Sequence, residues 1–322
     1  MAPDATAPAP APVRIGFLLW PQTADWPSIR DAAVRAEQAG AASLWTWDHL
    51  NSIVGPWEGP ILEGWSVLAG WSQVTSRATL GLMVGANTFR NPGLTAKLAV
   101  TLDHLSGGRA ILGIGGAWFE REHEAFGIDF GSGFGERLDR LDESVGLLRR
   151  LLDGERIADH EGAAYRMHDA LVEPRPVQRR LPIMIGGSGP KKTLRTLARY
   201  GDQWNTSAAT IEGLQAKDDV LRERCAEIGR DPATIEKTVT VDLVIRDTRA
   251  AALDAYRAVM ASTGQDYDQD WATHVGEPAA VADSLRPIID LGFRHVLVDT
   301  PAPYDAESID RIGEVLDHLR DA

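Results

Sequence analysis

Eight short strand-like runs, separated by helical stretches, set the frame of this chain. They read VRIGFLL (13–19), SLWTW (43–47), ATLGLMV (78–84), RAILGIG (109–115), LPIMIGG (181–187), QWNTS (203–207), KTVTVDLVI (237–245) and RHVLVDT (294–300). Runs that are apolar throughout, rather than alternating, suit strands covered on both faces, hence a parallel sheet with crossover helices. Helical stripes lie between them: Ile29, Ala33 and Ala36, stopped by Gly40; Leu94, Leu98, Leu102 and Leu105, stopped by Gly107 and Gly108; and Leu138, Leu141, Val145, Leu148 and Leu152. Further helices are expected near 64–75, 191–200, 211–229, 249–262 and 278–291, with one more at the end and an irregular excursion over 154–180. Eight such repeats predict an α/β fold, a (β/α)8 TIM barrel with insertions, as a single domain over residues 13–322. A doubly wound open sheet is the alternative.

Residues 1–12 alternate Ala and Pro and predict an extended, disordered tail. They lack the basic start and apolar core of a secretory signal. The single cysteine, Cys225, cannot close an internal disulfide, which fits a reducing cytoplasm. A net charge of −13 speaks against general nucleic-acid binding, which needs a basic stripe. No apolar run has the length to cross a bilayer.

In a barrel, functional groups gather where strands end. The second strand ends on Asp48 and His49, readable as a catalytic pair, a metal ligand or a polar loop. His49 suits proton transfer near neutral pH, with Asp48 to fix its tautomer or raise its pKa. After the third strand, Met83 and Val84 lead into Gly85, Ala86 and Asn87. Such small residues admit a flat ligand, although a tight turn is the simpler reading of that stretch alone. Gly113, Gly115 and Gly116 end the fourth strand but miss the dinucleotide fingerprint, because Ala117 and Trp118 follow. What remains there is a glycine-opened end beside Trp118, Glu120, Glu122 and His123.

The fifth strand runs into Gly186, Gly187, Ser188 and Gly189 and then a helix, an arrangement that suits a phosphate. Lys191, Lys192 and Arg195 add positive charge nearby. The Walker pattern and the G-x-S-x-G elbow are both missing. The eight histidines are scattered without metal-ligand spacing, so no metal is expected. Trp45, Trp47, Trp57 and Trp118 are candidates to wall an apolar pocket, with Trp45 better read as core. His104 reads as structural.

Together LWTWDHL, then LGLMVGANTFRNPGLTAKLAVTLDHLSGGRAILGIGGAWFEREHEAFG, GERLDRLDESVGLLRRL and VEPRPVQRRLPIMIGGSGPKKTLRTLARYGDQWN resemble the luciferase-like family of flavin and deazaflavin oxidoreductases. The resemblance implies a barrel with a tricyclic ring at its mouth, packed on a non-prolyl cis peptide near Met83, Val84 and Gly85. DHL after strand two and GGSG after strand five look most like members that use coenzyme F420. Carried onto this chain, the resemblance implies Asp48, His49 and Glu122 as catalytic candidates. It implies Met83, Val84, Gly85, Asn87, Gly115, Gly116, Gly186, Gly187, Ser188, Gly189 and Thr206 as cofactor contacts, with Ser207 nearby.

The implied reaction is hydride transfer between F420 and a small organic substrate. Lys191, Lys192 and Arg195 give the acidic tail of F420 a landing place. The sugar-phosphate dehydrogenases of that branch carry a glutamate where this chain has Trp118, and Glu122 lies a turn further on. Their sugar-phosphate cations have no clear match here, which speaks against a sugar-phosphate substrate. The rival is an FMN-dependent monooxygenase supplied by a separate reductase; a non-catalytic binding barrel is the remaining alternative. The family often forms homodimers. Segments 51–64 and 262–278 are expected to set substrate choice.

Overall fold

The computed structural model describes residues 11–207, 210–265 and 272–320. The chain runs β1 (Arg14–Leu19), α1 (Trp26–Gln38), β2 (Ser43–Thr46), α2 (Gly64–Val74), β3 (Thr79–Leu82), β4 (Gly85–Ala86), α3 (Pro92–Ser106), β5 (Ala110–Gly115), α4 (Glu120–Phe126) and α5 (Phe134–Leu152). It continues through β6 (Ile157–Glu161), β7 (Arg166–Ala170), β8 (Ile183–Gly186), α6 (Thr193–Tyr200), β9 (Gln203–Thr206), α7 (Ile211–Ala226) and β10 (Glu236–Ile245). The last elements are α8 (Arg249–Thr263), β11 (His274–Gly276), α9 (Pro278–Asp290), β12 (His295–Thr300), α10 (Ala306–Asp310) and α11 (Ile312–His318).

Strands pair in the parallel order β12-β1-β2-β3-β5-β8-β9-β10, and β10 pairs back onto β12, closing an eight-stranded barrel. The open-sheet alternative is thereby excluded. All eight expected strands are present within a few residues of their expected ends. Two features differ from expectation. The excursion over 154–180 contains an antiparallel hairpin, β6–β7. Two short parallel strands lie beyond the eight of the ring: β4 pairs with β5, and β11 extends β10. Neither is long enough for a periodic signal.

Local chemistry sets the helix ends. Asp25 caps α1 by accepting from Ser28 N–H at 2.9 Å, and Pro27 occupies the first turn. Asn91 caps α3 the same way through Leu94 N–H, and Gly107 stops it at φ 68°, which favours glycine. The expected stripes on α1 and α5 are buried. The α3 stripe is only partly so: Leu102 is buried and Leu98 packs on the core, but Leu94 is 51% and Leu105 46% exposed, while Ala96, Ala99 and Val100 are buried. Small residues on the buried face let α3 lie close against its neighbours.

Inside the barrel, Leu18, Trp45, Ile111, Met184 and Leu297 pack as one apolar layer. Gly81 makes room for Trp45, because a Cβ there would lie 2.5 Å from the indole. Trp45 is fully buried core, as the sequence suggested. Beneath it the floor is a polar network. Trp45 Nε1 donates to Ser43 Oγ at 2.7 Å, and Ser43 Oγ lies 2.8 Å from His295 Nε2. His295 Nδ1 lies 2.8 Å from Glu236 Oε1, and Glu236 also accepts from Arg14 and from Gln203 at 2.9 Å. Cys225 is buried and free. Among the described residues no helix is long and apolar enough to cross a membrane. Residues 1–10, most of the expected tail, lie outside the described residues.

Candidate active site

A pocket of about 340 Å³ opens at the C-terminal ends of β2, β3, β5, β8 and β9. Asp48, His49, Met83, Val84, Gly85, Gly115, Gly116, Glu122, Gly186 and Gly187 line it, as the sequence placed them, together with Trp47 and Trp118. Asn87, Ser188, Gly189 and Thr206 do not line it. Asn87 is buried just beyond, giving its N–H to Gly115 O at 3.1 Å and its amide to Tyr165 Oη at 3.0 Å. Ser188 and Gly189 continue the loop outward from Gly187, and Thr206 is buried at the end of β9.

His49 projects from the loop after β2 with its side chain 13% exposed. Its Nδ1 lies 2.9 Å from Glu122 Oε1, and Glu122 Oε2 accepts Leu50 N–H at 2.8 Å. An ionised carboxylate only accepts, so Nδ1 carries the proton toward Glu122 and Nε2 is left for the pocket. The rings of Trp118 and Phe119 stand edge-on to the imidazole at 5.7 and 6.1 Å, with Trp47 at 6.2 Å. Trp118 itself is 60% exposed at the rim.

Asp48 has a different role from the one expected. It accepts a two-pronged pair from Arg90, at 2.7 and 3.0 Å, and Ala86 N–H at 2.9 Å. No Asp48–His49 hydrogen bond forms. Burial pushes the Asp48 carboxyl above its ordinary value, opposed by Arg90 and the Ala86 N–H. Arg90 is held more firmly protonated by Asp48 and Glu63. The pair ties the end of β2 to β4. Arg90 gave no motif signal, because its partner lies 42 residues away in sequence.

The floor of the pocket is a tight cradle. Met83–Val84 is a non-prolyl cis peptide, in the position the resemblance implied. A Cβ on Gly115 or on Gly186 would come within 2.7 Å of Val84 Cγ2. Ala117, also in the lining, sits at φ 58°, a conformation that non-glycine residues adopt at some cost. Ile53, Phe134 and Asn205 complete the lining, and none was singled out from the sequence.

The expected positive cluster beside the glycine loop is only partly available. Lys192 Nζ is held by Asp139 at 2.7 Å and by Gly135 O at 2.9 Å. Lys191 is exposed, and Arg195 has a buried Nε without a partner among the described residues. Trp57 lies away from the pocket lining, with the Arg121 guanidinium 3.8 Å above its ring. His104 Nε2 bonds Arg175 O at 2.7 Å, a structural contact. Among the described residues no three His, Cys, Asp or Glu side chains group as a metal site.

A family model described as luciferase-like monooxygenase matches residues 10–287. An F420-dependent glucose-6-phosphate dehydrogenase of Intrasporangium calvum is 31% identical, over 90% of this chain and 94% of that protein. An F420-dependent hydroxymycolic acid dehydrogenase of Mycobacterium tuberculosis is 33% identical, over 91% and 86%. The solved structure of an F420-dependent tetrahydromethanopterin reductase from Methanopyrus kandleri superposes with a TM-score of 0.80 at 21% identity, covering 96% of this chain and all of that one.

Proposed function

The chain belongs to the luciferase-like monooxygenase family, and from that premise we propose a coenzyme F420-dependent oxidoreductase that moves a hydride between the deazaflavin and a small organic substrate at the barrel mouth. The relatives named for F420 at 31 and 33% identity favour this cofactor over FMN. The observation that carries an enzymatic reading is the His49–Glu122 pair, which presents one imidazole nitrogen to a glycine-cradled pocket. A passive binder has no use for an oriented imidazole.

The residues present fit a flat ring. Gly115 and Gly186 leave the space that a Cβ on either would fill beside Val84, and Met83, Val84 and Gly85 form the wall. Gly186 and Gly187 lead toward the phosphate end, with Ser188 and Gly189 beyond. Buried Asn87 Oδ1, next to Ala86 in the chain, lacks a partner among the described residues. When bound, the deazaflavin supplies two-electron hydride chemistry.

The chain's own part is positioning and proton transfer. Glu122 fixes the His49 tautomer, and His49 Nε2 gives or takes the proton of the substrate's oxygen. Asp48 acts through the backbone: by holding Arg90 and Ala86 N–H it fixes the pocket wall. Trp47, Trp118 and Phe119 exclude water around the imidazole. Buried, unpaired Cys225 suits the reducing cytoplasm where such a cofactor would be used.

Parallel fluorescence titrations with F420 and FMN test the reading. Saturable binding of F420, at least tenfold tighter than FMN, is expected. Preference for FMN would move the chain to the monooxygenase side of its family. Binding of neither would end the proposal.

A further inference from the structure

A second chamber, of about 330 Å³, lies beside the candidate site at the ends of β1, β10 and β12. Its walls are aromatic and apolar, with Trp20, Tyr256, Val259 and Met260 among them. Asp242 and Asp299 are recessed into this setting. They are direct neighbours across the β10–β12 ladder, two carboxyl groups in register on adjacent parallel strands. Like charges placed so are unfavourable unless something compensates. The donors that reach them are neutral: Trp20 Nε1 and the Thr300 N–H to Asp299, and Tyr256 Oη to Asp242 Oδ2 at 3.0 Å. No cation reaches either carboxyl among the described residues. The other charged pair at the rim is closed on itself, Arg246 with Asp305 at 3.0 Å.

The chamber adjoins the candidate site on two sides. Trp20, in its wall, packs on Trp47 of the ring pocket with centroids 4.3 Å apart. A larger cleft of about 790 Å³ is lined by Asp242 and Asp299 and also by Asn205, which lines the ring pocket. A molecule reaching from the ring pocket past Asn205 would meet the two carboxyls.

We propose that this chamber is a substrate subsite for an organic ammonium group, so that the substrate reacts at its near end and is held at its far end by Asp242 and Asp299. The inference rests on the oxidoreductase reading given above for the site itself. Three features converge on this ligand class. Paired carboxylates attract a cation and repel phosphate or carboxylate. The rings of Trp20 and Tyr256 offer the faces to which alkylated ammonium groups are drawn. Val259 and Met260 supply apolar contact that a bare metal ion would not use. Burial and the Asp242 charge raise Asp299 to about 7, so an ammonium arriving between them relieves a repulsion already present.

The test uses the full chain without cofactor and a matched probe series: hexylammonium, hexan-1-ol and hexyl phosphate, by calorimetry at pH 8. Hexylammonium is expected to bind at least tenfold tighter than the alcohol, and hexyl phosphate weaker still. Asp242→Asn and Asp299→Asn should each weaken hexylammonium at least tenfold while changing the alcohol less than twofold. Alcohol or phosphate binding as well as ammonium on the unaltered chain, or no binding of any probe, overturns the assignment without recourse to a variant. F420 titration of the same preparation keeps the two readings apart. F420 binding without ammonium binding removes only the subsite, and ammonium binding without F420 binding removes only the oxidoreductase.

Discussion

Glu122 Oε1 lies 2.9 Å from His49 Nδ1, and its other oxygen accepts the backbone N–H of Leu50, the very next residue. One carboxylate thus fixes both the ring and the loop that carries it. Asp48, adjacent in sequence to His49, spends its hydrogen bonds on Arg90 and Ala86 instead.

Replacing the imidazole separates chemistry from binding. His49→Ala should lower kcat with F420 and a turned-over substrate by about 100-fold or more, the usual scale for a general acid or base. The dissociation constant for F420 should change less than about threefold, as measured by fluorescence. Loss of binding with kcat intact would make His49 a cofactor contact only.

Glu122→Gln tests orientation. A Gln side chain replaces one carboxylate oxygen by an NH2 donor, which then faces either Nδ1–H or Leu50 N–H, another donor. We expect kcat to fall about tenfold with a displaced pH profile, and the melting temperature to change little. An unchanged pH profile would reduce Glu122 to a loop anchor.

Arg90→Ala leaves the Asp48 carboxyl buried without its partner. Removing one member of a buried ion pair costs about 3–5 kcal/mol. Urea denaturation should show that loss, and Asp48→Asn, which leaves no unpaired anion, should cost less. Equal and small losses would mean that water replaces the guanidinium.

Asp299 gives stability a pH dependence with a definite sign. Its folded-state value of about 7 lies above that of an unfolded aspartate, about 3.9. Between those values the unfolded chain has released a proton that the folded chain keeps, so rising pH favours unfolding until pH 7 and adds nothing beyond. Allowing for solvent in the chamber, Asp299→Asn should stabilise the chain by about 2 kcal/mol at pH 8 and have almost no effect at pH 4. A gain that is the same at both pH values would detach the effect from titration.

The architecture was legible because it repeats. Eight strand-like runs, each beside a helical stretch, leave few folds to choose among, and the stripe on α5 was buried as read. The α3 stripe was half right: Leu98 and Leu102 meet the core, but Leu94 and Leu105 are exposed because the helix packs largely through the smaller Ala96, Ala99 and Val100. The strand-end glycines were legible as small residues at strand ends, and Gly115 and Gly186 stand where a side chain would collide with Val84. Partnerships were not. His49 with Glu122 and Asp48 with Arg90 span 73 and 42 residues, and no local pattern says which acid meets which base. The Asp242–Asp299 register escaped for the same reason, since it exists only once β10 and β12 lie side by side.

The floor of the barrel bears on how such a chain can diversify. Ser43, His295, Glu236, Gln203 and Arg14 form one hydrogen-bonded network at the end remote from the pocket, and Trp45 stands on them with its indole N–H engaged. This foundation asks nothing of the loops above the apolar layer. A lineage can rewrite segments such as 51–63 or the ends of β10 and β12, trading one guest molecule for another, while the foundation goes on specifying the same fold.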